Sequence, residues 1–231
     1  MTPAGWYGKI PGTGDFIARR VPSSFSEPWD RWLQAAIAGS HARLGARWRD
    51  TFLSMPLWRF VFSPGVVDAS AWAGVMAPSV DAVGRYFPLA LVSRLPAASL
   101  DIVATLFAGE PWFEEMEALA LSAIAPGADP DTIDGAIARQ GFRAEWLRYP
   151  ESGDDTVPLP GARPQTVWVP LGERLAEPRA AWFAEESEVF GRCLAVCEAL
   201  PAAEQYCAMM NGRWIEHGWA RRYTRSGAAA A

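Results

Sequence analysis

Apolar and polar residues change period several times along the chain, and each change marks an element. From Ser26 to Trp48, the apolar positions Trp29, Leu33, Ile37, Leu44 and Trp48 fall largely on one face at helical spacing. "SEPWDRWLQAAIAGSHARLGARW" therefore reads as a helix that packs on a sheet. Ser26 is its N-cap in this reading, with Glu27 and Pro28 in a first turn that tolerates both. Three β-rich runs follow, separated by Pro, Gly and Asp: Leu57–Phe62, Ala71–Ala77 and Tyr86–Ser93. Short connections make them neighbouring strands, antiparallel where the turns are tight.

Helical spacing returns at Trp112, Phe113, Met116, Leu119, Ala120 and Ala123. A second helix is expected over about Asp131–Arg139, with Asp129 or Asp131 near its start. "PESGDDTVPLPGARPQ" (150–165) is an acidic, proline-rich loop whose length suits mobility or function. "TVWVPL" resumes a strand, "GRCLAVC" fits strand or helix, and "AAEQYCAMMNGRW" reads as a late helix. Helices flank the strand cluster on both sides in sequence, so a layered α/β domain over residues 1–225 is expected. The patternless 226–231 segment is expected to fray.

Composition narrows the function classes. With 231 residues, 50% hydrophobic and 20% charged, the chain can bury one sizeable core. No run of eighteen apolar residues and no basic, then apolar, start is present, so a soluble protein without membrane span or signal peptide is expected. A net charge of -5 argues against nonspecific nucleic-acid binding, which rests on neutralising phosphates with Lys and Arg. Of 21 basic residues only Lys9 is lysine, a bias that fits a GC-rich genome and discounts any single Arg as functional. Cys193, Cys197 and Cys207 form an odd set that reads as buried thiols of a reducing cytosol. The CxxxC pair has no nearby His and makes a poor zinc site. Twelve tryptophans exceed what a core ordinarily takes and leave room for an aromatic contact face.

The candidate chemistry centres on two loops. "GWYGKIPGTGDF" (5–16) is glycine-rich, but a phosphate loop needs Lys and then Ser or Thr after its last Gly. Here Lys9 precedes Gly12 and Gly14, and Asp15 would repel an anion. Ile17 stands where a dinucleotide fingerprint needs its third Gly. A tight turn is the favoured reading. His41 and His217 have no partner at ligand or triad spacing, and neither GxSxG nor HExxH occurs. An acid pair of Asp15 with Asp81 stays open as an enzyme site. In "WAGVMAPSVDAVGRYFPLAL" (72–91), Ser79, Asp81, Gly84 and Arg85 form a polar turn between two strands. Arg85 is expected to pair with Asp81 or Asp15 and to pin the two loops together at one end of the sheet.

"GWYGKIPGTGDF", "EPWDRWL", "PLWRFVF" and "WAGVMAPSVDAVGRYFPL", in this order, resemble the TagF family of proteins associated with the type VI secretion system. "CLAVCEALPAAEQYCAMMNGRW" fits more loosely. About Leu95–Arg163 matches nothing in the family pattern, and Trp182–Val189 is more acidic than the aromatic-rich stretch expected there. The resemblance implies a three-layer α/β/α sandwich with a mixed or largely antiparallel sheet. It also implies a cytoplasmic, non-enzymatic repressor that acts after translation on assembly of the secretion machine, with no cofactor. The implied partners are proteins of the secretion apparatus, including in some bacteria a forkhead-associated scaffold protein. Some relatives carry a fused PP2C-type phosphatase domain, for which this chain is read as too short. No site residue is carried over from the family; from the reading of the chain itself, Gly12, Gly14, Asp15, Trp58, Arg59, Ser79, Asp81 and Arg85 are the expected partner-binding or loop-ordering residues. The rival expectation is a nucleotide- or phosphate-responsive switch or enzyme built from the Gly12–Asp15 and Asp81–Arg85 loops.

Overall fold

Strands rich in Trp, Phe, Val and Ala assemble into one continuous sheet. A computed structural model describes residues 2–96, 100–147, 166–170, 179–189 and 191–223. Among them the strands are β1 (Gly5–Gly8), β2 (Ile17–Arg19), β3 (Trp58–Phe62), β4 (Ala71–Ala77), β5 (Leu89–Leu95), β6 (Thr166–Pro170), β7 (Ala180–Ala184), β8 (Cys193–Cys197) and β9 (Trp219–Tyr223). Their spatial order is β2-β1-β5-β4-β3-β7-β8-β6-β9. Only the β6–β8 pairing is parallel, so the sheet is mixed and largely antiparallel, and the class is α/β. The helices are α1 (Ser23–Leu44), α2 (Trp48–Leu53), α3 (Ile102–Ala108), α4 (Glu110–Ile124), α5 (Pro130–Ala138) and α6 (Ala203–Asn211). Among the described residues, no helix is long and apolar enough to cross a membrane.

The two-residue period of the strands sorts their side chains into two cores. Phe60, Phe62, Trp72 and Trp182 pack with Phe25, Trp29 and Leu33 of α1, Phe52 of α2, and Tyr206 and Met209 of α6. Val61, Ala73, Val75 and Phe183 pack instead with Ile102 and Leu106 of α3, Phe113 and Met116 of α4, and Ile137 of α5. Trp29 is fully buried, its ring centroid 5.3 Å from Phe60 and 6.2 Å from Trp182. Burying each such side chain contributes roughly 1.5–3 kcal/mol. Nine of the twelve tryptophans are buried, and Trp32, Trp146 and Trp168 lean against the cores. The tryptophan excess therefore fills the interior and does not form an exposed aromatic face.

Several boundaries differ from the sequence expectation. Helix α1 starts at Ser23, a turn before Ser26, because the Pro22 carbonyl accepts from the N–H of both Phe25 and Ser26. The buried Phe25 ring, 5.5 Å from Trp29, holds this extra turn on the core. The helix then stops at Gly45, whose φ of 54° is a conformation that L side chains disfavour, and Trp48 begins α2. "GRCLAVC" resolves to strand β8, while Ala71–Ala77 is a strand over the expected residues. Asp129 caps α5 by accepting from the Thr132 N–H. Strands β1, β2, β7 and β9 and helices α2 and α3 lie beyond what the sequence pattern predicts. They are short, and the alanines of β7 carry little strand signal. The 150–165 loop and the 226–231 tail lie outside the described residues.

Gly74 of β4 sits opposite Phe60 and Val92 at the centre of the sheet. A Cβ there would stand 2.6 Å from the Leu91 carbonyl oxygen and overlap the Phe60 ring. Gly74→Ala should therefore destabilise the fold by about 1–3 kcal/mol, read as a lower urea midpoint. An unchanged midpoint would mean that the Phe60 ring steps aside at no cost.

Candidate functional site

Two hairpin connections meet at one end of the sheet. The first, Lys9–Phe16, joins β1 to β2, and the second, Pro78–Pro88, joins β4 to β5. Since β1 pairs with β5 and β5 with β4, the sheet register alone brings the two connections side by side. The β1–β2 hairpin is fixed from the other side by α5. Asp134 accepts from the Trp6 indole at 2.8 Å and pairs with the Arg20 guanidinium.

At the centre lies Asp81, whose side chain is fully buried. Its Oδ2 accepts from Lys9 Nζ at 2.8 Å and from Arg85 Nε at 2.7 Å. Its Oδ1 accepts from the backbone N–H groups of Val83 at 3.0 Å and Arg85 at 2.8 Å. Burial alone would raise the carboxyl pKa, but these bonds, Lys9 first, outweigh it and hold the pKa well below the usual carboxylate range. Asp81 is thus held as the carboxylate at neutral pH, with both of its oxygens engaged by donors. Gly84, at φ 84°, closes the turn around it.

Further bonds lock one loop to the other. Ser79 Oγ donates to the Lys9 carbonyl at 2.7 Å, and the Ala82 N–H donates to the Thr13 carbonyl at 3.0 Å. Arg85 also donates to the Gly14 carbonyl. The Phe16 and Phe87 rings meet edge-on at 4.8 Å, and Lys9 Nζ lies 4.9 Å from the Phe16 centroid. Outward, the pair presents Phe16, which is 44% exposed, and Val83, which is 68% exposed.

Most of the expected loop residues therefore come together: Gly12, Gly14, Ser79, Asp81 and Arg85 share this assembly. Arg85 pairs with Asp81; the Asp15 carboxylate is exposed and makes no ion pair among the described residues. The two carboxylates of the open Asp15–Asp81 acid pair stand in different surroundings: Asp15 is exposed, and Asp81 is buried and engaged by Lys9 and Arg85. Gly12 and Gly14 do not adopt the positive φ of an anion-binding nest, and Lys9 is committed to Asp81.

Trp58 and Arg59 do not belong to the loop pair. Trp58 is fully buried and donates to the Met209 carbonyl of α6. Arg59 is buried on the opposite face, in a bidentate pair with Glu117 of α4 at 2.7 and 2.8 Å. Strand alternation sends these neighbours into two different cores, so neither offers a contact surface. Sequence reasoning missed Lys9 as the central cation, although the one lysine of an arginine-rich chain, set beside a glycine loop, was a usable signal. It also missed Phe16 and Val83, which nothing in their spacing distinguishes.

The other candidate groups are structural. Burial pushes the Cys193 and Cys207 thiols up, away from the reactive thiolate. His217 is buried, with Nε2 3.1 Å from the Asn211 amide, while His41 is exposed beside Trp48. Among the described residues no cluster of His, Cys, Asp and Glu could hold a metal ion.

Comparison with known proteins gives two matches. The family model described as TagF N-terminal domain, type VI secretion system-associated, matches residues 5–140, which contain both loops. The crystal structure of PA0076 from Pseudomonas aeruginosa PAO1 is similar at 31% identity, covering 91% of this chain and 94% of that one, with a TM-score of 0.73. No curated protein matches.

Lys9→Met keeps the aliphatic stem but leaves Asp81 with Arg85 as its one cation, and should cost about 3 kcal/mol, the lower end for uncovering a buried charge. Arg85→Ala should cost no more than about 1 kcal/mol, because its side chain is 56% exposed. Chemical denaturation of both variants checks this order, and a costlier Arg85→Ala would reverse the assignment of the central cation. Acid should act on Asp81 and on Asp134, whose pKa is lowered to about 2, by the Arg20 bond first. The unfolded chain takes up these protons near pH 4 and the folded chain only at lower pH, so their stabilisation is complete above about pH 4 and fades below it. Asp81→Asn should lower the neutral-pH melting temperature and flatten its fall between about pH 4 and pH 2.

Proposed function

Because this chain belongs to the TagF family of type VI secretion system-associated proteins, we propose that it represses assembly of that machine after translation, through protein–protein contacts in the cytoplasm. The observation that carries this reading is the loop pair. Its central charges are satisfied internally, its shape is fixed by cross-loop bonds, and it turns the apolar Phe16 and Val83 outward beside the already paired Arg85. Such a surface suits recognition by shape and apolar contact; catalysis needs a group with a free proton or lone pair. The chain is accordingly read as a binding protein and not an enzyme. The partner is read as a protein of the secretion apparatus, with a forkhead-associated scaffold protein as one candidate, as the resemblance implies for some bacteria. The helices over the two faces of the sheet are read as the outer layers of the implied α/β/α sandwich.

Deleting the protein from its host should raise secretion and target-cell killing under repressing conditions. Unchanged secretion would refute the proposal, and abolished secretion would make the protein a structural component instead. Complementation with Phe16→Asp and Val83→Asp together should leave the fold intact by circular dichroism and fail to restore repression. Full restoration would remove the loop pair from the contact.

A further inference from the structure

Beyond the loop pair, two open clefts of about 510 and 490 Å³ lie on either side of one short strip, His41–Arg49, where α1 ends and α2 begins. The first is lined by Arg43, Arg47 and Arg213, with Glu216 as its one carboxylate among the described residues. The second is more apolar, walled by Ile37, Trp48 and Tyr86, with Arg49 and His41 at its side and no carboxylate among the described lining residues.

This concentration of cations stands out in a chain of net charge -5. Arg43 is partly answered by Glu204 at 3.0 Å and Arg213 by Glu216 at 3.3 Å. Arg47 and Arg49 are exposed and have no carboxylate partner among the described residues. Arg47 follows the C-terminal end of the 22-residue α1, whose dipole favours a cation, and neither it nor Arg49 is neutralised there by a carboxylate among the described residues. Exposed apolar groups accompany them. Ile215, 73% exposed, sits between Arg213 and Glu216 in sequence, and Leu53, 44% exposed, precedes Ser54 of the first cleft.

We propose that the His41–Arg49 strip and its two clefts form a docking surface for an acidic segment of a partner protein, with an apolar side chain of that segment entering the Trp48–Tyr86 cleft. Charge complementarity selects the acidic partner, since arginine forks pair carboxylates bidentately. The apolar walls of the second cleft suit an apolar side chain, and the net charge of -5 disfavours a nucleic acid as the occupant. The surface is continuous with the loop pair: Tyr86 follows Arg85 directly, and its ring meets Trp48 edge-on at 5.5 Å. The proposal rests on the reading that this protein acts by binding another protein, and it names the chemistry of that partner.

The probe is a fluorescein-labelled peptide of Asp and Glu around a central Phe, titrated with the full chain by fluorescence anisotropy. Binding should weaken with added salt. It should fall about tenfold or more when Ser replaces the Phe of the peptide, and again in the Arg47→Glu, Arg49→Glu variant, where two attractions become repulsions. Both arginines are exposed, so the variant should melt with the wild type; if it does not, Arg47→Gln with Arg49→Gln takes its place. The proposal is overturned if the peptide fails to bind or the variant binds it equally. A single-stranded oligonucleotide or an anionic phospholipid vesicle binding more tightly than the peptide would overturn it too. Secretion by the deletion strain separates the two levels. Raised secretion with no peptide binding removes this surface and keeps the repressor role, whereas peptide binding with unchanged secretion does the reverse.

Discussion

The inner strands β3, β4, β7 and β8 are buried at every position, so the centre of this sheet has no face that water could cover. An antiparallel sheet ordinarily leaves one face to solvent. Here the two alternating sets of side chains are both apolar, and each must find a helical cover. That requirement explains why α1, α2 and α6 gather on one face and α3, α4 and α5 on the other. It also explains where polar residues can go. Arg59, the charged residue of β3, is tolerated because α4 brings Glu117 to it across the interface. Specific chemistry is left to the ends of the sheet, where strands give way to turns.

At one such end a buried carboxylate governs the arrangement. Asp81 collects two cations and two backbone N–H groups, and those donors come from both hairpin connections. A buried ion pair adds little net stability over an apolar substitute, but removing one partner is costly. Its effect is therefore conformational: alternative arrangements of the two loops would strand a charge. This rigidity fits a protein that presents a shape to a partner, since little ordering entropy remains to be lost on contact.

Much of this was legible in the chain. The helical spacing around Trp29 and Leu33 and the apolar runs at Trp58, Ala71 and Leu89 carried enough signal to locate α1 and the neighbouring strands. The loop pair was legible too, because glycine, aspartate and arginine at strand ends have few other uses. The limits were physical. Which carboxylate Arg85 would choose depends on depth, and depth is set by the register of β1 on β5, which no local pattern encodes. Sequence alone groups Trp58 and Arg59 with the loop residues because a two-residue stretch does not reveal that both faces of its strand are covered. The helix boundary at Ser26 failed for a related reason. Phe25 extends the helix through a contact with Trp29, and capping preference alone cannot see that contact.

Lys9 bears on how the protein can be modified. It is the one side-chain amine in the sequence, and it lies under the Phe16 ring with its ammonium against Asp81. Enzymes that acylate lysine side chains or attach ubiquitin to them find no exposed acceptor. The positive charge on the surface is carried by guanidinium groups, which stay protonated across the physiological range and which lysine acetylation cannot neutralise. The positive charge of this surface is thus set by the gene and is closed to editing by lysine acylation.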